Sequence, residues 1–237
     1  MKRPKRVNGY SLIELLVATV LFTIIAGTVF SLLLSAQLRY RGESDVTTAF
    51  QQANVAIDQI ARDVHSAGYP PANSFAVGVA QANPQLAALP FSWSPGYPNT
   101  PCTVGGSCGA VPGDYDLILE TDTGVGNVQW IRYSLQGTTL MRGMIPKRAF
   151  ADPVASTDGF LLPYLENVQN GPGNKSLPIF SYCYGTGCSD TATPHQPSNI
   201  REANISLIVQ SARKDPQTQV FRSITLTGQA VRFNPNQ

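Results

Sequence analysis

The stretch from Leu15 to Leu34, LLVATVLFTIIAGTVFSLLL, carries no charged residue and constrains this chain more than any other segment. Twenty residues at about 1.5 Å of rise each match a hydrocarbon core about 30 Å thick, so a helix here has the length of a membrane span. Lys2, Arg3, Lys5 and Arg6 lie ahead of it. By the positive-inside rule that cluster stays in the cytoplasm and the chain beyond Leu34 emerges on the other side. A cleavable secretory signal has a shorter apolar region, about 7–15 residues, and a small-x-small cleavage site. Here Leu34-Ser35-Ala36 leads straight into polar, helix-forming sequence.

Composition narrows the function class. Charged residues make up 14% of the 237 positions, against an average of about 25%. The net charge of +2 gives none of the basic field that a nucleic-acid binder shows. Four of the positive charges fall within the first six residues, so the remainder of the chain is net negative. A basic nucleic-acid binder, a charge-rich disordered chain and a plain cytosolic enzyme are all disfavoured, and nucleic acid is not expected as a partner.

One carboxylate interrupts the apolar run, in Gly9-Tyr10-Ser11-Leu12-Ile13-Glu14-Leu15. Placed mid-membrane it costs a few kcal/mol, less near a helix end, so it marks function unless it merely sits among the headgroups. The whole arrangement resembles the prepilin signature of type IV pilins and type II secretion pseudopilins. The resemblance implies that a prepilin peptidase cuts after Gly9 and that Tyr10, where the family usually has Phe, becomes a methylated N-terminus. Glu14 is then the fifth residue of the mature chain. It further implies a structural subunit rather than an enzyme, with no cofactor. Its partners would be other minor and major pilins or pseudopilins, the prepilin peptidase and an inner-membrane assembly platform. The chain would reside in the bacterial inner membrane with a periplasmic C-terminal domain, then in a pilus or pseudopilus filament.

Physical chemistry gives Glu14 a task in such a filament. Cleavage creates an α-amino group at Tyr10 with a pKa of about 8, largely charged at neutral pH. Paired with Glu14 of a neighbouring subunit among apolar helices, it adds little stability. It penalises a wrong axial register, because an unpaired buried charge is costly. A first-turn carboxylate also suits the positive end of the helix dipole.

Beyond Leu34, Val46, Phe50, Ala53, Ile57, Ile60 and Val64 recur at spacings of three and four, the stripe of an amphipathic helix. Gly68-Tyr69-Pro70-Pro71 ends it. The helix is expected from about residue 11 to 66, roughly 80 Å long. The stripe is short for a free coiled coil and suits a following domain. The expected organisation is a leader over residues 1–9, a transmembrane part over 10–34 and an amphipathic periplasmic half over 35–67. A Pro/Gly-rich uncharged loop region over 68–113 and a β-rich domain over 114–237 complete it. The class is α+β, a pilin-like lollipop whose helix packs on an antiparallel sheet domain.

Residues 70–113 hold eight prolines, six glycines and no charge, which reads as extended loop. Phe91, Trp93 and Tyr97 within it cover either the domain's own sheet, the preferred reading, or a neighbouring subunit. Strands are expected over Tyr115–Thr121, Val128–Leu135, Thr139–Met144, Ile179–Cys183, Ala203–Ser211 and Gln219–Phe233. Asp114, Asp116, Glu120 and Asp122 alternate with apolar residues as solvent-facing positions do, and a calcium site there lacks a loop signature. Arg132, Arg142, Lys147 and Arg148 read as a solvated basic face; a DNA-receptor role for them is the rival. Trp130-Ile131-Arg132-Tyr133-Ser134-Leu135 and the terminal Val231-Arg232-Phe233-Asn234 resemble PilW-type minor pilins and J-type minor pseudopilins. Chain length, and Ser31 where major pilins commonly carry Pro, point away from a major subunit.

Cys102, Cys108, Cys183 and Cys188 allow three pairings. Loop-closure entropy favours Cys102–Cys108 and Cys183–Cys188, at about 2 kcal/mol each. A zinc site from Cys183, Cys188 and His195 is the alternative, with irregular spacing; otherwise no metal is expected. His65 and His195 read as surface residues, and no nucleophile elbow, zinc-protease or phosphate-loop motif is present. The rival function is a single-pass anchor carrying a periplasmic enzyme or binding domain, which has no use for Glu14 behind Gly9.

Overall fold

The structure, a computed structural model, describes residues 11–109, 111–172, 175–184 and 195–233. Helix α1 (Leu12–Ser66) runs unbroken for 55 residues, about 80 Å. It contains no proline, and its glycines sit in open space at Gly27 or under ordinary contact at Gly42. Every residue from 11 to 41 is exposed, and burial begins only at Ala49. The buried stripe comprises Ala49, Ala53, Ala56, Ile57, Ile60 and Val64. Phe50, expected within it, is 46% exposed. Ala49 takes its place, because a small side chain lets the sheet come closer. Past Ala67 the chain turns at Gly68, whose φ of +85° is the left-handed conformation a glycine adopts readily. The Gly68 amide donates to Glu120 O at 2.8 Å, fixing the helix end to the first strand.

Two antiparallel sheets pack on the helix. The first has the order β1 (Asp116–Thr121), β2 (Gln129–Gln136), β3 (Thr139–Pro146), β4 (Leu162–Leu165). The second has the order β5 (Phe180–Tyr184), β6 (Ile200–Gln210), β7 (Ser223–Val231). The six anticipated strands are present, their ends displaced by a few residues. Strand β4 and the short helices α2 (Val79–Ala82) and α3 (Pro153–Thr157) were not anticipated. Helix α3 carried a readable start: the Asp152 side chain caps the Ala155 amide, with proline in the first turn. The sheets join where Val168 bridges Val209 and where the Ile179 and Phe180 amides donate to Asp114 O.

The first sheet is covered on both faces. Leu117, Leu119, Ile131, Tyr133 and Leu140 share one core with α1. Ile118, Trp130 and Ile145 share a second with Trp93, Tyr97 and Val111 from the Pro/Gly-rich segment. That second layer overturns the expectation that Asp116 and Glu120 face solvent. Asp114 is exposed and Asp122 half-buried, but Asp116 is buried and Glu120 has no exposed surface. Charge alternating with apolar residues signals a wet face only when nothing else covers it. Phe91, Trp93 and Tyr97 are buried in their own domain.

Candidate functional site

The apolar half of α1 is the least globular feature of the molecule. From Leu12 to Leu38 its one charged residue is Glu14, which sits in the first turn and donates its amide to Ser11 O at 3.0 Å. Leu15, Leu21, Phe22, Ile25, Phe30 and Leu32 are all more than half exposed, a surface without partners among the described residues. The four hydroxyls from Leu15 to Leu34 are spent internally: Thr19, Thr23, Thr28 and Ser31 donate to the carbonyls of Leu16, Val20, Ile25 and Thr28 at 2.8–2.9 Å. A helix that satisfies its own polar groups can enter lipid or a bundle of like helices without a desolvation penalty for them. Glu14 is the exception, an exposed carboxylate on that apolar surface. Gly9 and Tyr10 lie outside the described residues.

The domain is fastened by three buried charge clusters that sequence reading did not foresee. In the first, Glu120 accepts from Lys147 Nζ (2.6 Å), Leu89 N (2.7 Å), Ser92 Oγ (2.6 Å), Trp130 Nε1 (3.0 Å) and the Tyr97 hydroxyl. Lys147 Nζ also donates to Ala87 O at 2.8 Å. One carboxylate thus ties the Pro/Gly-rich segment to the sheet. In the second, Asp63 of α1 accepts from Tyr133 Oη (2.6 Å), Arg142 Nη2 (2.9 Å) and Gln59 Nε2 (2.8 Å). In the third, Arg132 grips Asp116 through Nε and Nη2 (3.0 and 2.7 Å), Thr157 Oγ1 (3.2 Å) and Asp158, holding α3 against the sheet. Asp63 was findable, since it interrupts the buried stripe between Ile60 and Val64. A polar residue on a core face needs a partner.

Burial, followed by the charge of Glu120, pushes the Tyr97 phenol far above its ordinary value. Burial and then Asp63 do the same to Tyr133. Both phenols therefore remain donors, as the geometry requires.

These clusters correct the reading of Arg132, Arg142, Lys147 and Arg148 as a solvated face. The first and third are buried and Arg142 is half-buried, all three in ion pairs; Arg148 alone is exposed. Of the side chains a DNA-receptor role would use, Lys147 is buried against Glu120 and Arg142 is held by Asp63, while Arg148 is exposed. A disulfide joins Cys102 and Cys108, closing a six-residue separation beneath Trp93 and Tyr97. Cys183 is disulfide-bonded as well, and Asn204 Nδ2 donates to its sulfur at 3.2 Å. Cys188, half of the expected Cys183–Cys188 pair, lies outside the described residues. A disulfide sulfur is no zinc thiolate, and His195 stacks on Tyr184 with ring centroids 4.0 Å apart. Among the described residues no cluster suited to a metal occurs. A groove of about 570 Å³ runs between α1 and β4, with Asp45 and Glu166 as its carboxylates.

No curated protein and no solved structure matches the chain. Residues 4–30 match the family described as the prokaryotic N-terminal methylation motif. The matched residues take in Glu14 and the apolar helix as far as Phe30, and the motif supports a subunit of the type IV pilin or pseudopilin class, which points to a structural role.

Proposed function

We propose that this chain is a minor type IV pilin, a structural subunit that helps to prime filament assembly at or near the tip. The leader, residues 1–9, is removed between Gly9 and Tyr10, and the new N-terminus is methylated. Residues 10–34 anchor the precursor in the inner membrane. Residues 35–67 carry a periplasmic domain made of the Pro/Gly-rich layer at 68–113 and the β-rich part at 114–237. The observation that carries this reading is Glu14, the one charge from Leu12 to Leu38, on the half of α1 whose apolar surface is bare and whose first part matches the methylation motif. In the filament, α1 of neighbouring subunits would cover that surface and Glu14 would meet a Tyr10 amine. The Cys102–Cys108 disulfide suits an oxidising compartment.

A minor pseudopilin of a type II secretion system uses the same motif and the same helix, and is the second reading. The test common to both is the intact mass of the membrane-expressed chain with and without a prepilin peptidase. Peptidase-dependent loss of residues 1–9 with one added methyl group is expected. An uncut chain in both samples would leave only a membrane anchor. Recovery with sheared pili rather than with a secretion complex then separates the two readings.

A further inference from the structure

The loop between β6 and β7, residues 211–222, is the end of the folded domain nearest the apolar half of α1. Strand β7 runs alongside α1 in the same direction. Arg222 Nη1, just before it, lies 3.7 Å from Glu43 Oε1, and Phe233, just after it, donates its amide to His65 O at 3.2 Å. Over that interval the strand climbs about 36 Å and the helix about 33 Å. The loop ahead of β7 therefore points back toward Leu34. Pro216 Cδ lies over Gly42, 3.6 Å from where a side chain would begin. Asp215, Pro216 and Gln217 line a small cleft with Leu38, Arg39 and Gly42.

Leu38 to Gly42 stand about 6–12 Å beyond Leu34 along the helix axis. The headgroup layer of one leaflet extends about 5–8 Å beyond the hydrocarbon core. With Leu15–Leu34 in the hydrocarbon, the Leu38–Arg39 end of this cleft lies within the headgroup layer and the loop stands just outside it, within reach of the headgroups for its long side chains. Its chemistry suits them. Val220 and Phe221 are apolar and exposed, Lys214 Nζ lies 5.6 Å over the Phe221 ring, and Tyr40 is exposed on the helix at the same height. The acids at this level, Glu43, Asp45 and Asp215, each face an arginine, Arg222 or Arg213. Arg39, Arg41 and Lys214 are exposed and carry no ion pair among the described residues.

We infer that the β6–β7 loop, together with Arg39, Tyr40 and Arg41, is a docking surface for the anionic phospholipid headgroups of the membrane that α1 spans. The cations take the phosphates, while Val220, Phe221 and Tyr40 enter the interface as apolar and aromatic anchors do. The contact fixes the domain's tilt on the bilayer and is given up when the subunit leaves the membrane. It rests on α1 crossing a membrane and not on the filament reading.

The test uses the full chain, nitroxide-labelled at Val220→Cys, in phosphatidylcholine vesicles with and without phosphatidylglycerol, each doped with a nickel-chelating lipid. Val125→Cys is the distal control: it is exposed in the β1–β2 turn, next to Thr121, whose hydroxyl donates to Ser66 O at the far end of α1. Phe22→Cys reports the hydrocarbon. Headgroup nickel is expected to relax the Val220 label several-fold more than the Val125 label, most strongly in anionic vesicles. Lys214→Glu should cut that contact at least about fivefold. Equal relaxation at Val220 and Val125, or no change with Lys214→Glu, overturns the inference while a lipid-buried Phe22 label leaves the membrane span standing. So does a Val220 label shielded only at high protein concentration, which would mean that a second copy covers the loop. A Phe22 label in water removes the span and the inference together.

Discussion

Gly228 of β7 meets Ile57 of α1 so closely that a Cβ at Gly228 would lie 2.3 Å from Ile57 Cγ2. The contact lies midway along the strand that follows the helix, and it sets how near the two elements come. Both flanking residues on that face, Leu226 and Ala230, pack into the same core.

Gly228→Ala is therefore expected to push the helix off the sheet and cost about 1–3 kcal/mol, the usual range for overpacking. Ile57→Ala removes the opposing methyl and leaves a cavity of its own. The double variant should be less destabilised than the sum of the singles. Thermal unfolding of the four proteins in detergent gives the coupling, and strict additivity would show that the two residues do not limit the approach.

Lys147→Met leaves the Glu120 carboxylate buried without its cation. Removing one partner of a buried ion pair costs about 3–5 kcal/mol, so this variant should be among the least stable single changes in the domain. Residues 87–97 are the first expected to loosen, because Glu120 and Lys147 hold Ala87, Leu89, Ser92 and Tyr97. Hydrogen exchange that loosens elsewhere first would contradict this arrangement.

The buried phenols predict alkaline behaviour. Tyr97, Tyr133 and Tyr182 are held well above the ordinary value, by burial first and then by neighbouring acids. A raised native pKa contributes stability that is complete below the unfolded value of about 10 and is lost as pH rises above it. After a jump to about pH 11, part of the tyrosinate absorbance should appear at once and the rest only with loss of the fold. Immediate ionisation of all nine tyrosines with the fold intact would refute it.

Glu14→Ala is expected to insert and be processed nearly as the parent does, since it removes only a charge from an apolar segment. Incorporation into filaments should fall, because register is no longer penalised. The ratio of mutant to parent in sheared filaments is the readout, and parity would remove the assembly role.

Much of the architecture was legible in local sequence. The apolar run, the three-and-four spacing after it, Gly68 before paired prolines and six β-rich segments mark the helix, its end and the principal strands. These are periodic or punctuating signals, carried by neighbours in the chain. Strand β4 was not legible, because four residues including a proline carry little pattern. The fate of Asp116, Glu120, Arg132 and Lys147 was not legible either. Alternation along β1 and β2 assigns these side chains to faces of a sheet, and whether such a face is wet depends on what else packs there.

The sequence by itself determined that the chain has an apolar helix with one charge near its start and a β-rich domain behind it, because both follow from residue order and period. Tertiary structure alone decided which face of the sheet the uncharged Pro/Gly-rich segment covers, turning apparent surface charges into buried ion pairs. It also decided that the β6–β7 loop returns to the level of Arg39 and Arg41. Both outcomes depend on contacts between segments tens to more than a hundred residues apart, and such contacts leave no periodic trace in either partner.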